Sequence, residues 1–253
     1  MTATLFSIPG HLPFADTLAA TLMGDGIPGI LEPQGKEADP ARLSRLTLLL
    51  PTRRACRALQ ESFLRHGGGR PVLLPRMAPL GDLDEEDMAF AEAEDLTDGG
   101  LSGDSLSELP PAISETRRRL LLTRLVREFE ERRDGSPRSV DQAALLAGEL
   151  ARLLDQTQRE RLSFDALAAL VPDTYADHWR ITLDFLKIVT EHWPRILAEE
   201  GRIDPVARRN GVLERQAGLW RTAPPDAPVI AAGSTGSLPA TADLLQVVAD
   251  LPQ

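Results

Sequence analysis

Cysteine, aromatic residues and long apolar runs are scarce in this chain, and each scarcity excludes something. Cys56 is the one cysteine among 253 residues, so this chain alone builds no internal disulfide, zinc knuckle or iron–sulfur cluster. Aromatic residues make up 4% of the sequence, so we expect a core of Leu, Ala, Val and Ile side chains. No apolar run reaches the roughly 18 residues that a membrane-spanning helix needs.

The N-terminus also lacks basic residues, because Lys36 is the first lysine or arginine in the chain. A secretory signal peptide begins with a positively charged segment. We therefore expect a cytoplasmic protein that has no membrane partner. The chain ends at Leu251-Pro252-Gln253 without a closing element, and we interpret it as a truncated part of a longer protein.

Acidic residues outnumber basic ones by 38 to 28, which gives a formal net charge of −10. The excess lies between residues 82 and 108, which hold eleven acids and no base. The rest of the chain is nearly neutral, with 27 acids against 28 bases. We interpret the acidic stretch as an exposed loop. The net charge therefore does not exclude nucleic acid as a partner.

Strands and helices alternate at both ends of the chain. Apolar periodicity predicts helices at 14–23, 53–66 and 240–251. Short apolar runs predict buried strands, which are 4–8, 46–50, 71–75 and 228–232. This βαβ order is typical of an α/β fold with a parallel sheet.

The middle of the chain is predicted to be a large all-helical insertion. Capping residues and apolar spacing predict five helices, at 114–133, at 140–159, from Ser163 to before Pro172, from Asp173, and from Asp204-Pro205 to about Arg221. We therefore divide the chain into a first part of the α/β domain, an acidic loop, a helical subdomain and a return to the α/β domain, at 1–81, 82–110, 111–223 and 224–253.

The turn before the first predicted helix stands where a nucleotide-binding protein has its phosphate loop, G-x-x-x-x-G-K-[ST]. Gly10 and Thr17 match the first and last positions of that motif. Ala15 replaces the second glycine, Pro13 removes an amide, and Asp16 stands at the position of the lysine. An anion beside a triphosphate costs about 4 kcal/mol at close range. We therefore interpret the segment as a degenerate phosphate loop, and Asp16 as an acid that stabilises its own helix.

The second predicted strand runs into Pro51, Thr52, Arg53 and Arg54. A helix N-terminus donates amides, a threonine adds a hydroxyl and two arginines add fork-shaped donors, and all of these bind phosphate. The segment resembles motif Ia of superfamily 1 and 2 helicases, which contacts the backbone of single-stranded nucleic acid. Thr52, Arg53 and Arg54 are therefore candidate DNA-binding residues. The alternative is a capped helix with two solvated arginines.

Two further segments are candidates for anion binding. Ser234 and Thr235 lie in the loop 233–237, between a strand and a helix, where backbone amides bind phosphate. That strand does not end in the aspartate that binds magnesium, and a tight turn with a helix cap is the alternative. The second segment is the predicted helix at 114–133, which is strongly basic because it contains Arg117, Arg118 and Arg119, and which faces either DNA or solvent.

Six segments, in order along nearly the whole chain, resemble the AddB family of alphaproteobacterial type. They are FSIPGHLPFADTLA, LTLLLPTRRACRALQESFLR, LLPRMAPLGD, LPPAISETRRRLLLTRLV, HWRITLDFLKIVTEHWPRILAEEGRIDPVARRN and PVIAAGSTGSLPATADLL. The resemblance implies a RecA-like, P-loop helicase-like fold at the N-terminus of an AddB subunit. It also implies an AddA partner, with which AddB resects DNA double-strand breaks for recombinational repair.

The resemblance places ATP, magnesium and an iron–sulfur cluster in other parts of that complex, so we expect no cofactor and no catalytic residue in this chain. Hotspot-reading residues of the family have no recognisable counterpart here. Two other functions stay open. The chain is either a working P-loop NTPase, or a helical scaffold that binds protein and not DNA.

Overall fold

The computed structural model describes residues 5–24, 26–27, 31, 41–80, 109–135, 139–164 and 176–252, with the backbone alone at 134, 176–180 and 183. The elements, in chain order, are α1 (Phe14–Met23), a 3₁₀ turn (Leu43–Arg45), β1 (Thr47–Leu50), α2 (Arg53–His66), β2 (Arg76–Pro79), α3 (Glu115–Asp134), α4 (Val140–Arg159), α5 (Ala176–Lys187), a π-helical turn (Ile188–His192), α6 (Trp193–Glu200), α7 (Pro205–Thr222), β3 (Val229–Ala231) and α8 (Pro239–Asp250).

The chain divides into two compact units, one formed by Met1–Leu106 with Leu213–Gln253 and the other by Ser107–Val212. The first unit contains all three strands, and the second is helical in the residues described. The α/β class is therefore confirmed, although helix predominates. The finer domain limits inferred from the sequence stay predictions.

The three strands are parallel and lie in the order β2-β1-β3. Both faces of the central strand are buried, because Leu48 and Leu50 pack into one hydrophobic cluster and Leu49 into another. The first cluster contains residues of α1 and α2, and the second contains residues of α7 and α8. Helices therefore cover both faces of the sheet, as an apolar parallel strand requires.

Capping residues at the helix ends agree with the helix limits predicted from the sequence. The N-cap of α2 is Thr52, whose side chain accepts a hydrogen bond from the amide of Ala55, and its C-cap is Gly67. Ser114 and Ser139 accept the corresponding bonds at the starts of α3 and α4. The predicted helices at 14–23, 53–66 and 140–159 match the structure residue for residue.

The predicted strand at 4–8 is wrong for the residues that the structure describes. Residues 5–8 form no strand, and the side chains of Leu5 and Phe6 are 92% and 52% exposed. An apolar run becomes a strand only where a neighbouring strand accepts its hydrogen bonds. Here β2 and β3 occupy the two sides of β1, which leaves residues 5–8 no place beside the central strand.

The predicted strand at 71–75 is also wrong, because β2 begins at Arg76. The amides of Arg76 and Leu80 donate to the carbonyls of Leu46 and Leu50. Since Arg76 pairs with Thr47, the residues before Arg76 would have to pair with the residues before Thr47, which are the 3₁₀ turn and its cap residue Leu46. Pro79 is tolerated because β2 is an edge strand and proline has no amide to pair.

Three other predictions fall on residues that the structure does not describe. These are the acidic loop at 82–108, the short helix from Ser163 apart from its first two residues, and the start at Asp173 of the helix that is seen from Ala176. Across the described ranges, none of the helices combines the length and hydrophobicity that crossing a membrane requires.

Candidate nucleic-acid interface

The candidate interface lies at the carboxyl edge of the sheet. β1 ends at Leu50 and continues through Pro51 and Thr52 into α2, whereas β3 ends at Ala231 and continues through the loop 233–237 into α8. Since β1 and β3 are parallel neighbours, both segments leave the sheet at the same edge. Open α/β sheets bind their ligands outside this edge.

Gly233 is the point at which three separate segments meet. A Cβ atom on Gly233 would lie 3.4 Å from Cε1 and Cζ of Phe14 and 3.8 Å from Cδ of Pro51. Its φ of 73° is in the left-handed region, which glycine adopts without strain. We use the name strand-end site for Phe14, 51–54 and 233–235, which the fold thus brings together.

Thr52 has a structural role at this site, as the alternative interpretation of the segment required. Its Oγ1 accepts a hydrogen bond of 3.1 Å from the amide of Ala55, and its carbonyl accepts one from Cys56. The hydroxyl is still able to donate its own proton. Thr52 therefore caps α2 and keeps one donor for a ligand.

Positive charge is concentrated at the start of α2. Arg53 is half-buried, Arg54 and Arg57 are exposed, and the first acid of the helix is Glu61. The N-terminus of a helix carries a partial positive charge, so acids stabilise it and cations destabilise it, by about 0.3–1 kcal/mol each. Arginines in the first turn therefore add positive charge to the end of α2 that is already the positive end of its dipole.

Ser234 and Thr235 lie on the other side of Gly233 from the strand. Ser234 is half-buried and Thr235 is exposed. Gly236 also has a left-handed φ, of 62°, so a glycine in this conformation stands on each side of the pair. The loop leads into α8, whose cap residue Leu238 provides no side-chain bond. The predicted pair is thus at the same edge as the start of α2.

The residues of the degenerate phosphate loop are not brought to this site as a group. The amide of Leu12 donates to the carbonyl of Pro9 in a turn, and the amide of Thr17 donates to Pro13. Gly10 has no left-handed φ, and a Cβ there would meet open space. The backbone therefore does not require glycine at this position, and the strand that precedes a phosphate loop is missing from residues 5–8.

Asp16 is directed towards the other end of α2. Its Oδ1 accepts a hydrogen bond from Arg65 and forms an ion pair with it. Hydrogen bonds from Arg65 and then Ser62 lower the pKa of Asp16. Arg65 is about 18 Å along the helix from Arg53. The carboxylate is therefore neutralised by a partner distant from the strand-end site, and no sequence signal indicated this pairing.

Asp16 and Thr17 line a shallow groove of about 320 Å³ with Ala20, Thr21 and His66. The groove lies along α1 and the last residue of α2. It is separate from the amides and arginines at the start of α2. Over the described parts of the chain, no three His, Cys, Asp or Glu side chains are grouped to bind a metal ion.

The basic helix α3 is not uniformly solvated. Arg118 is 1% exposed, and it forms ion pairs of 2.8 Å with Asp155 and 3.0 Å with Asp204. Asp204 also accepts hydrogen bonds from Gln158 and Trp193. The predicted solvated or DNA-facing surface is thus wrong for Arg118, since tertiary packing buries it. Arg119 and Arg127 are exposed.

Sequence reasoning missed Phe14 and Gly233 as members of the candidate site. Phe14 was one apolar residue of a predicted helix, and Gly233 was one glycine of a loop. A glycine directly after a buried strand is the signal that marks a close approach.

Comparison of this chain with protein-family models, curated proteins and solved structures gives no match.

Proposed function

We propose that this chain is the N-terminal, helicase-like part of an AddB-type subunit, and that it binds single-stranded DNA without driving ATP hydrolysis. Thr52, Arg53, Arg54, Ser234 and Thr235 contact the DNA backbone. The partner is an AddA-type helicase–nuclease subunit, and the complex acts on DNA double-strand breaks. What supports the family is the order of six similar segments along the chain.

The observation that carries DNA binding is the pair of arginines in the first turn of α2. The start of α2 lies at the carboxyl edge of the sheet, where two arginine side chains and the positive end of the helix dipole together favour an anion. A phosphate there would accept hydrogen bonds from backbone amides, from the Thr52 hydroxyl and from guanidinium groups.

The proposal that this chain does not drive ATP hydrolysis is supported by residues 10–17, which are poorly suited to bind a nucleotide. Asp16 stands where a lysine would contact the phosphates, and it is engaged with Arg65. Gly10 lacks the backbone conformation for which a phosphate loop uses glycine. Mg-ATP therefore meets an anion and an unsuitable loop. This disfavours the alternative of a working P-loop NTPase.

Within the α/β class, the fold that we propose is RecA-like. It is supported by a parallel sheet with helices on both faces and by a Pro-Thr-Arg sequence after its central strand. A helical unit, Ser107–Val212, separates β2 from β3 in the chain, as the large insertion of this proposal requires.

The test is binding of a fluorescent single-stranded oligothymidine by the whole chain and by Arg53→Ala/Arg54→Ala. Charge-assisted hydrogen bonds contribute about 1.5–3 kcal/mol each, so we expect affinity to fall at least about tenfold. The slope of log affinity against log salt should decrease by about 1.4, because each phosphate contact on a single strand contributes about 0.7.

The matched control is Arg119→Ala/Arg127→Ala, which removes two exposed arginines from α3. It should bind the oligonucleotide as the unchanged chain does. Loss of binding in this control alone would move the DNA surface to α3. Binding of an AddA-type subunit without any DNA binding would favour the protein scaffold, and tight Mg-ATP binding would favour the NTPase.

A further inference from the structure

Phe14 is a half-exposed aromatic side chain at the strand-end site. It is the first residue of α1, and the residue is 44% exposed although its ring lies against Gly233. The three apolar residues that follow on the buried face of α1, Leu18, Ala19 and Leu22, are all buried. Phe14 therefore contacts the rest of the protein at Gly233 and is also partly open to solvent.

The surroundings of the ring distinguish it from the other exposed apolar residues. Pro51 Cδ and the Phe14 ring both lie within 4 Å of the Cβ position of Gly233. Pro51 directly precedes Thr52, Arg53 and Arg54. The aromatic ring thus lies near the segment that carries these phosphate donors. Proteins bind single-stranded nucleic acid by combining aromatic side chains that stack on bases with cations that contact the backbone.

We propose that Phe14 stacks on a nucleobase of the single strand whose backbone is held at Thr52–Arg54. The inference rests on the proposed function and adds to it a base-contacting residue. Every base has a π-face, so the contact is tolerant of sequence. The absence of a side chain at Gly233 lets the ring lie close to the loop, and the left-handed φ of 73° there keeps that residue a glycine.

The experiment separates the base contact from the backbone contact. The whole chain, Phe14→Leu, Phe14→Trp and Arg53→Ala/Arg54→Ala are each titrated with oligothymidine and with an abasic oligomer of the same length. Loss of stacking weakens binding by about fivefold to a hundredfold per base. We expect Phe14→Leu to lose about tenfold on oligothymidine and nothing on the abasic oligomer, and Phe14→Trp to retain binding to both.

Phe14→Leu keeps an apolar side chain against Gly233, so a thermal melt close to that of the unchanged chain shows that its fold is intact. Leu64→Ala, which removes an exposed apolar side chain from α2, is the matched control and should not weaken binding. An equal loss on both oligomers, or no loss on oligothymidine, overturns the stacking role and leaves backbone binding standing. If the unchanged chain binds neither oligomer, both the proposed function and this inference fail.

Discussion

Asp16 stands at the position where a phosphate-binding loop has a lysine, and its carboxylate is paired with Arg65 of α2. The sequence alone favoured a role in stabilising its own helix, and Asp16 does lie in the first turn of α1. The tertiary structure adds a cross-helix partner. Asp16 thus also has a role in joining two helices.

The pairing makes the stability of the protein depend on the charge of Asp16. Its pKa is lowered from the usual 3.8 in the folded state, so the contribution is present above the unfolded pKa and is lost as pH falls through the folded pKa. We expect Asp16→Asn to lower the urea midpoint at neutral pH, and the difference from the unchanged chain to vanish once the pH falls below the lowered pKa of Asp16 in the folded state.

Urea denaturation at several pH values measures this difference. Asp226→Asn, which removes another exposed carboxylate, is the control and should show a smaller effect at neutral pH. A midpoint difference for Asp16→Asn that is the same at neutral and acid pH would contradict an electrostatic role for the carboxylate.

Helix α3 contains a buried arginine, Arg118, that the local sequence does not distinguish from the arginines on either side of it. Arg117, Arg118 and Arg119 are consecutive, yet only the middle one is buried. Arg117 pairs with Glu200, and Arg118 lies between Asp155 and Asp204. Consecutive residues on a helix point about 100° apart, so one of three adjacent arginines is directed into the core of its unit.

We expect Arg118→Met to destabilise the protein by about 3–5 kcal/mol, because it leaves the 2%-exposed carboxylate of Asp204 without its cation. Urea denaturation followed by circular dichroism measures the loss. Arg119→Met, one residue further along the same helix, should change the unfolding free energy by no more than about 0.5 kcal/mol. Similar losses for the two variants would show that the ion pairs of Arg118 do not matter.

The molecule as a whole has its hydrophobic clusters divided between its two units. Leu48, Leu59 and Phe63 belong to a cluster of the first unit, whereas Leu122, Leu150 and Trp193 belong to the cluster of the second. Since each cluster draws on residues of one unit, the core of each unit is formed from its own elements.

We expect Leu122→Ala, at a fully buried position, to cost about 2–5 kcal/mol and to raise amide hydrogen exchange mainly in α3 and α4. Leu48→Ala, also fully buried, should raise exchange mainly in β1 and α2 and should weaken oligothymidine binding. Exchange raised equally in all elements by either variant would contradict separate cores.

The positions of most helices and of β1 follow from short-range signals. Thr52, Ser114 and Ser139 were recognised as helix starts because each cap bond joins residues three positions apart. Strand 46–50 was recognised from its apolar run alone. The predictions of strands at 4–8 and 71–75 were wrong because a strand forms only beside a partner strand, and a segment's own residues do not indicate which partner is present.

The sequence by itself determined most of the helices that the structure describes, the central strand, the α/β class and the two arginines at the start of α2. Each of these depends on hydrogen bonds and periodicity within a few residues of the chain. Only the tertiary structure decided which side chains meet. Asp16 and Arg65 are 49 residues apart, and Phe14, Pro51 and Gly233 come together only because α1, β1 and β3 pack as one unit. Packing of distant surfaces, and not local preference, selects those contacts.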